Sequence, residues 1–165
     1  MSVAQTAAPT ALDPCQLVTA AEASSLGGAT FGAGKESTSP GGAKVCAYNA
    51  TGAVVEVLVV QAADAATAQT DWAQEEADAQ AAIKKGAPAG INPTFNLTDA
   101  TISGADRAAV ATASATVSGV TVSVSAIYVL KGATFFTFSD LAVGQPVAAA
   151  SALEAQAQIT LGRVP

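Results

Sequence analysis

The sequence contains no histidine. That removes the usual general base at neutral pH, the commonest metal ligand, and every Ser-His or Cys-His nucleophile pair. Charge is scarce as well: Asp, Glu, Lys and Arg make up 12% of the residues, about half the ordinary share. The seven basic residues are scattered, only Lys84 and Lys85 being adjacent, and the net charge is −6. Nucleic acid and anionic membrane both call for clustered Lys and Arg, so neither is expected as a partner. Aromatics amount to 5%, which leaves the core to Val, Ile, Leu and a few Phe residues.

Long apolar runs are missing too. None approaches the roughly 18 residues of a transmembrane helix, and no charged segment followed by an apolar one marks a signal peptide in the residues given. The glycines form neither a Walker A loop nor G-x-G-x-x-G; "GAGKEST" (32–38) has a Gly-Lys without the preceding strand and is expected to be surface loop. There is no G-x-S-x-G, no S-x-x-K and no Asp-rich calcium loop. Two cysteines without histidine do not make a zinc site. No cofactor and no metal are expected.

A chain of 165 residues is one domain by length and can bury a sizeable core. Residues 1–12, rich in Ala, Thr, Gln and Pro, read as a flexible N-terminal spacer, such as one between a membrane anchor and a folded domain; 13–165 read as a single globular domain. Thr19-Ala20-Ala21-Glu22 has the form of a capping box, and the short helix it opens closes at Gly27-Gly28. A Gly/Ser/Pro-rich loop with room for one short strand follows. "KVCAYNA" and "AVVEVLVVQAA" read as strands joined at Thr51-Gly52, the second a central one. Asp64 caps a long helix ending at Gly86, with Ala65, Ala68, Trp72, Ala79 and Ile83 near one face. "GAPAGINPTFN" reads as a connector. From Leu97 onward the pattern has period two, giving a three-stranded antiparallel meander with turns at Ser118-Gly119 and Lys131-Gly132. A final helix starts near Pro146, anchored by Val147, Leu153 and Leu161. The expected fold is α+β, with about five strands in an antiparallel sheet and the N-terminal, central and C-terminal helices packed on one face.

Among the acids, Glu75, Glu76 and Asp78 read as the solvated side of the long helix, and Asp99 and Asp106 as turn residues around "TISGADR". Trp72 reads as a core anchor, and Tyr48 and Tyr128 as sheet residues. Cys15 has no cationic neighbour to lower its pKa, since Asp13 and Glu22 would raise it, so it is a poor nucleophile. It also lacks the upstream apolar segment of a lipidation site. Two buried free thiols are one alternative. The favoured one is a disulfide between Cys15 and Cys46, closing a loop of about 30 residues and contributing about 3 to 4 kcal/mol. Such a bond implies an oxidising, extracytoplasmic setting.

"LDPCQLVTAAEASSLGG", followed by "VCAYN", resembles the Asp-Pro-Cys … Cys-x-Tyr/Trp signature of secreted lipoproteins of unknown function from high-GC actinobacteria. The match is carried by Asp13, Pro14, Cys15, Leu17, Val18, Thr19, Glu22, Ala23, Leu26 and Gly27, then by Cys46 and Tyr48. The resemblance implies a cell-envelope protein with a signal peptide and lipobox upstream. It also implies an α+β sandwich like those of photosystem-associated and nuclear-import accessory proteins, which act by binding.

The expected function is therefore that of a non-catalytic, extracytoplasmic binding or accessory domain, recognising an envelope protein through its exposed sheet face or Gly-rich loop. One alternative is a carrier of a small apolar ligand, held between the helix around Trp72 and a sheet bearing Val122, Val124, Tyr128, Phe136 and Phe138. Another is a hydrolase using paired Asp or Glu residues. That reading demands two carboxylates in a cleft, one with a raised pKa.

Overall fold

The computed structural model describes residues 12–39, 41–86 and 92–165. Among them the elements run α1 (Pro14–Leu17), α2 (Ala20–Gly27), β1 (Lys35–Thr38), β2 (Lys44–Ala50), β3 (Ala53–Gln61), α3 (Ala65–Gly86), β4 (Thr94–Asp99), β5 (Arg107–Val117), β6 (Val120–Lys131), β7 (Thr134–Val143) and α4 (Ala150–Leu161). The class is α+β as expected, built on one antiparallel sheet of order β1-β2-β3-β7-β6-β5-β4. The two strands beyond the expected five are its edges. An edge strand pairs on one side only and needs no strong apolar pattern. All four residues of β1 are exposed, which is why "GAGKEST" reads as loop; β4 likewise takes up the end of the expected connector.

Turn chemistry sets the registers. Ser118 and Gly119 both take positive φ, 51° and 82°, the conformation that matches a two-residue hairpin to strand twist. Lys131 pairs with Thr134, so the β6–β7 turn is Gly132-Ala133, one residue later than expected. Asp64 does cap α3: its Oδ1 accepts the Thr67 amide at 2.8 Å. The last helix begins at Ala150 rather than near Pro146. Its lead-in stays extended, tied by the Ala148 amide donating to Asp140 Oδ2 at 2.7 Å.

Successive strand residues point to opposite faces, and both faces are used. On the first, Val55, Val57, Ile127, Val129, Phe136 and Phe138 pack with Leu17, Leu26, Leu153 and Leu161 from α1, α2 and α4. On the second, Ala68 and Trp72 of α3 pack on Ala109, Leu130 and Phe135. The expectation that all helices share one face is thus wrong for α3, and topology gives the reason. This helix links β3 to β4 at the far edge, four strand positions or about 19 Å away, and at about 33 Å it is long enough to cross. The first face over β3, β6 and β7 is already occupied by α2 and α4.

The expected spacer falls mostly on residues 1–11, which lie outside the described residues. Its last member, Leu12, packs against the first-face core and its amide donates to Gln61 Oε1 at 3.2 Å.

Candidate functional site

The Asp-Pro-Cys stretch builds a structural corner. Asp13 Oδ1 accepts the Cys15 amide at 2.8 Å, capping α1 with Pro14 at its first position. Cys15 is bonded to Cys46, and no free cysteine remains. The buried Tyr48 hydroxyl donates to the Val18 carbonyl. Gly34 lies directly on this corner: a Cβ there would overlap Cys46 Sγ and the Tyr48 ring. The expected capping box is present, with the Thr19 amide donating to Glu22 at 2.8 Å and the Glu22 amide donating to Thr19 Oγ1 at 3.2 Å. Glu22 is also held by Arg163, at 2.6 and 2.9 Å. The Arg163 hydrogen bond is the main cause that brings the Glu22 carboxyl down to about 2. Arg163 and Thr160 also donate to the Leu17 carbonyl, at 2.7 and 3.1 Å, which fastens the C-terminus to α1. These hydrogen bonds hold chain to chain.

The second face is different. Between α3 and the sheet run two adjoining cavities, open to solvent, of about 330 and 300 Å³. The first lies between the loop residues Ser39, Gly41 and Ala43, the sheet residues Leu58, Val60 and Phe135, and Ala68, Asp71, Gln74 and Glu75 of α3. The second is floored by Val45, Leu58, Val124, Ala126 and Tyr128 and bounded by Glu56, Glu75 and Ala79. Leu58 and Glu75 line both. The floor is aromatic in part: the Tyr128 and Phe135 rings lie 6.1 Å apart, and Trp72 meets Phe135 edge-on at 5.8 Å. Burial, then the nearby Asp78 and Asp71, push the Glu75 carboxyl above its ordinary value. Burial, with Glu75 adding to it, raises Tyr128, so its hydroxyl is a protonated donor at neutral pH. Beyond the helix the apolar floor continues into solvent through Leu141, Val143 and Val120, which are 36, 41 and 46% exposed.

Of the residues expected to line a pocket, Tyr128 and Val124 do so. Trp72 is 1% exposed and serves as the anchor of α3, its ring packed into the second-face core. Phe136 and Phe138 are corrected: their side chains belong to the first-face core, on the far side of the sheet from Trp72. In "TFFTFSD" the pleat sends Phe135 to the cleft and the other two away from it. Asp106 serves a turn, but not the one in "TISGADR": its Oδ2 accepts the Gly132 amide of the β6–β7 turn at 2.6 Å. Glu75 and Asp78 are exposed as expected, although Glu75 also borders both cavities; Glu76 is half-buried and meets Arg107 at 3.7 Å.

From the sequence, Glu56 has no expected site role and Glu75 only a solvated one, yet each carries a signal. On α3 the inward positions are 68, 72, 75 and 79, at helical spacing, and three of them are Ala, Trp and Ala. On β3 the second-face positions are Val54, Glu56, Leu58 and Val60. In both elements an acid stands where the period asks for an apolar residue. Compared with known proteins, the chain matches no protein-family model, no curated protein and no solved structure.

Proposed function

We propose that this is a non-catalytic binding domain acting outside the cytoplasm, and that it holds a small apolar or amphipathic ligand in the cleft between α3 and the second face of the sheet. The observation that carries the reading is the unequal covering of the sheet: one helix leaves two joined cavities with apolar floors, a size and lining suited to small ligands. The exposed sheet face and the Gly-rich loop between the cysteines, the two surfaces expected to recognise a partner, meet at this cleft through Leu58, Val60, Ser39 and Gly41. The disulfide supports the oxidising compartment, and the resemblance to secreted lipoproteins points the same way. Among the described residues no helix is long and apolar enough to cross a membrane.

Native mass spectrometry of protein purified from its own envelope is expected to reveal a small non-covalent adduct. Ala79→Trp, which fills the second cavity from a half-buried position on α3, should abolish the adduct and leave the melting temperature within a degree or two. An adduct that survives this substitution, or wild-type protein that carries none and takes up no apolar fluorescent probe, would overturn the reading. A second reading has one specific support. Glu75 and Glu56 bound one cavity and Glu75 is raised, which is the kind of acid pair a glycosidase uses. Turnover of a glycoside panel, lost in Glu75→Gln, would favour it; no turnover by the wild-type protein would remove it.

A further inference from the structure

We propose that the second cavity recognises an organic cation: an amine or ammonium group on an apolar body, with the charge between Glu75 and Glu56 over the Tyr128 ring and the body along Leu58 and Val124. The inference rests on the reading that the α3 cleft is the binding site, and names the chemistry of its ligand.

Three observations carry it. First, the two acids interrupt the apolar stripes of two elements that face each other, and both border the same cavity. Both acids are exposed at the cavity rim; a ligand whose apolar body covers them strips them of water, and a cation beside them offsets that penalty. Second, the chain already contains the arrangement in a filled form. The Arg107 guanidinium lies 5.0 Å from the centroid of the Trp72 ring and 3.7 Å from Glu76, so an aromatic ring from the core and a glutamate from α3 together hold a cation. Glu75, next along the helix, and Tyr128, on the sheet below, form the same pair at the cavity. An aromatic face adds cation–π attraction to the ion pair. Third, the described residues lining the two cavities include three acids, Asp71, Glu56 and Glu75, and no Lys or Arg. Lys35 shares this face but stands two strands from Glu56 by register, opposite Ala47, and does not line the cavity. The net charge of −6 steers cations inward and repels anions. A bare metal ion is a poor fit, because the floor supplies apolar carbon rather than oxygen ligands.

The test uses three probes with one body: 4-phenylbutylamine, 4-phenylbutanol and 4-phenylbutyrate, titrated into the intact, oxidised protein and followed by amide chemical shifts. The amine is expected to move amides around positions 56–58, 75–79 and 126–128, with an affinity at least about tenfold above the alcohol, equivalent to about 1.4 kcal/mol. The carboxylate should bind weakest. In the Glu56→Gln/Glu75→Gln double variant the amine and alcohol should become equal, with the melting temperature unchanged; Glu75→Lys, which brings its own cation to the cavity, should exclude the amine. Equal binding of amine and alcohol to the wild-type cleft would overturn the cation assignment and leave the cleft as a binding site. An amine preference that persists in the double variant would also overturn it. If none of the three probes moves the cleft amides, the cleft reading and the cation assignment both fail.

Discussion

The two faces of the sheet are covered in opposite ways. The first is closed by three helices, a disulfide, the Tyr48 hydroxyl and a two-contact Glu22–Arg163 pair. Among the described residues the second is closed by α3 alone, through Trp72 and Ala68, and is left open beside them by the two adjoining cavities. Such a division gives stability to one side and leaves the other free to carry a ligand, because binding sites need exposed apolar surface that a folding core would consume. The contrast also separates two kinds of conspicuous residue. The cysteines, Tyr48 and Glu22 belong to the stabilising side. The less conspicuous Glu56, Leu58 and Glu75 belong to the cleft.

The largest effect should come from breaking the staple on the first face. Reduction, or Cys15→Ser, should lower stability by about 3 to 4 kcal/mol and the melting temperature by on the order of 10 °C. Cys46→Ser should cost about the same, and the double variant no more than either, since one bond is lost in every case. Differential scanning calorimetry of the three variants checks this; additive losses would show that each side chain acts separately. The cleft should respond less than the fold: probe binding by reduced protein, measured well below its melting temperature, should persist.

How much of this was legible in the sequence follows the same division. The capping box and the antiparallel meander could be read because each rests on local spacing or on alternation, which survive in one dimension; the disulfide could be read because the chain holds only two cysteines and Cys15 lacks the surroundings of a reactive thiol. The helix α3 could be read too, but the face it covers could not. That depends on where β3 and β4 lie in the sheet, and β4 is an edge strand whose first residues read as connector. Placing α3 with the other helices then put Phe136 and Phe138 beside Trp72, when the pleat turns them to the opposite core. Three acids within four positions suggest a wet surface, and Glu75 is indeed exposed, so its place beside the cleft is hidden in that pattern. Its position in the 68, 72, 75, 79 series is what turns it toward the cavities.

Two carboxylates on the first face give smaller effects of opposite sign. Glu22 is lowered, chiefly by its hydrogen bond from Arg163. Its contribution is therefore present above the unfolded value of 4.5 and is lost as pH falls from there towards about 2. Glu22→Gln should cost about 1 kcal/mol at pH 7, the pair being partly exposed, and should flatten the loss of stability over that acid window. A melting-temperature profile from pH 2 to 7 is the measurement. An unchanged acid limb would mean that the Arg163 contact adds nothing in solution.

Asp140 breaks the pattern of the first face, and correcting it should give the smallest change. It is 1% exposed, it accepts one amide from Ala148, and its Oδ1 has no partner among the described residues. Its cross-strand neighbour Ser125 is fully buried with an equally unpartnered Oγ. Burial raises the Asp140 carboxyl, the Ala148 hydrogen bond opposing it only in part. With the folded pKa above the unfolded one, ionisation penalises the native state, and stability rises as pH falls through the folded value. Asp140→Asn keeps an oxygen for Ala148, removes the buried charge and supplies a donor where Ser125 lacks one. It should raise stability at pH 7 by about 0.5 to 1 kcal/mol and remove the pH dependence that this residue contributes, the reverse of Glu22→Gln. A loss of stability instead would mean that the charge itself is held by the fold. The first face would then contain a functional group of its own, and the division of labour between the two faces would no longer hold.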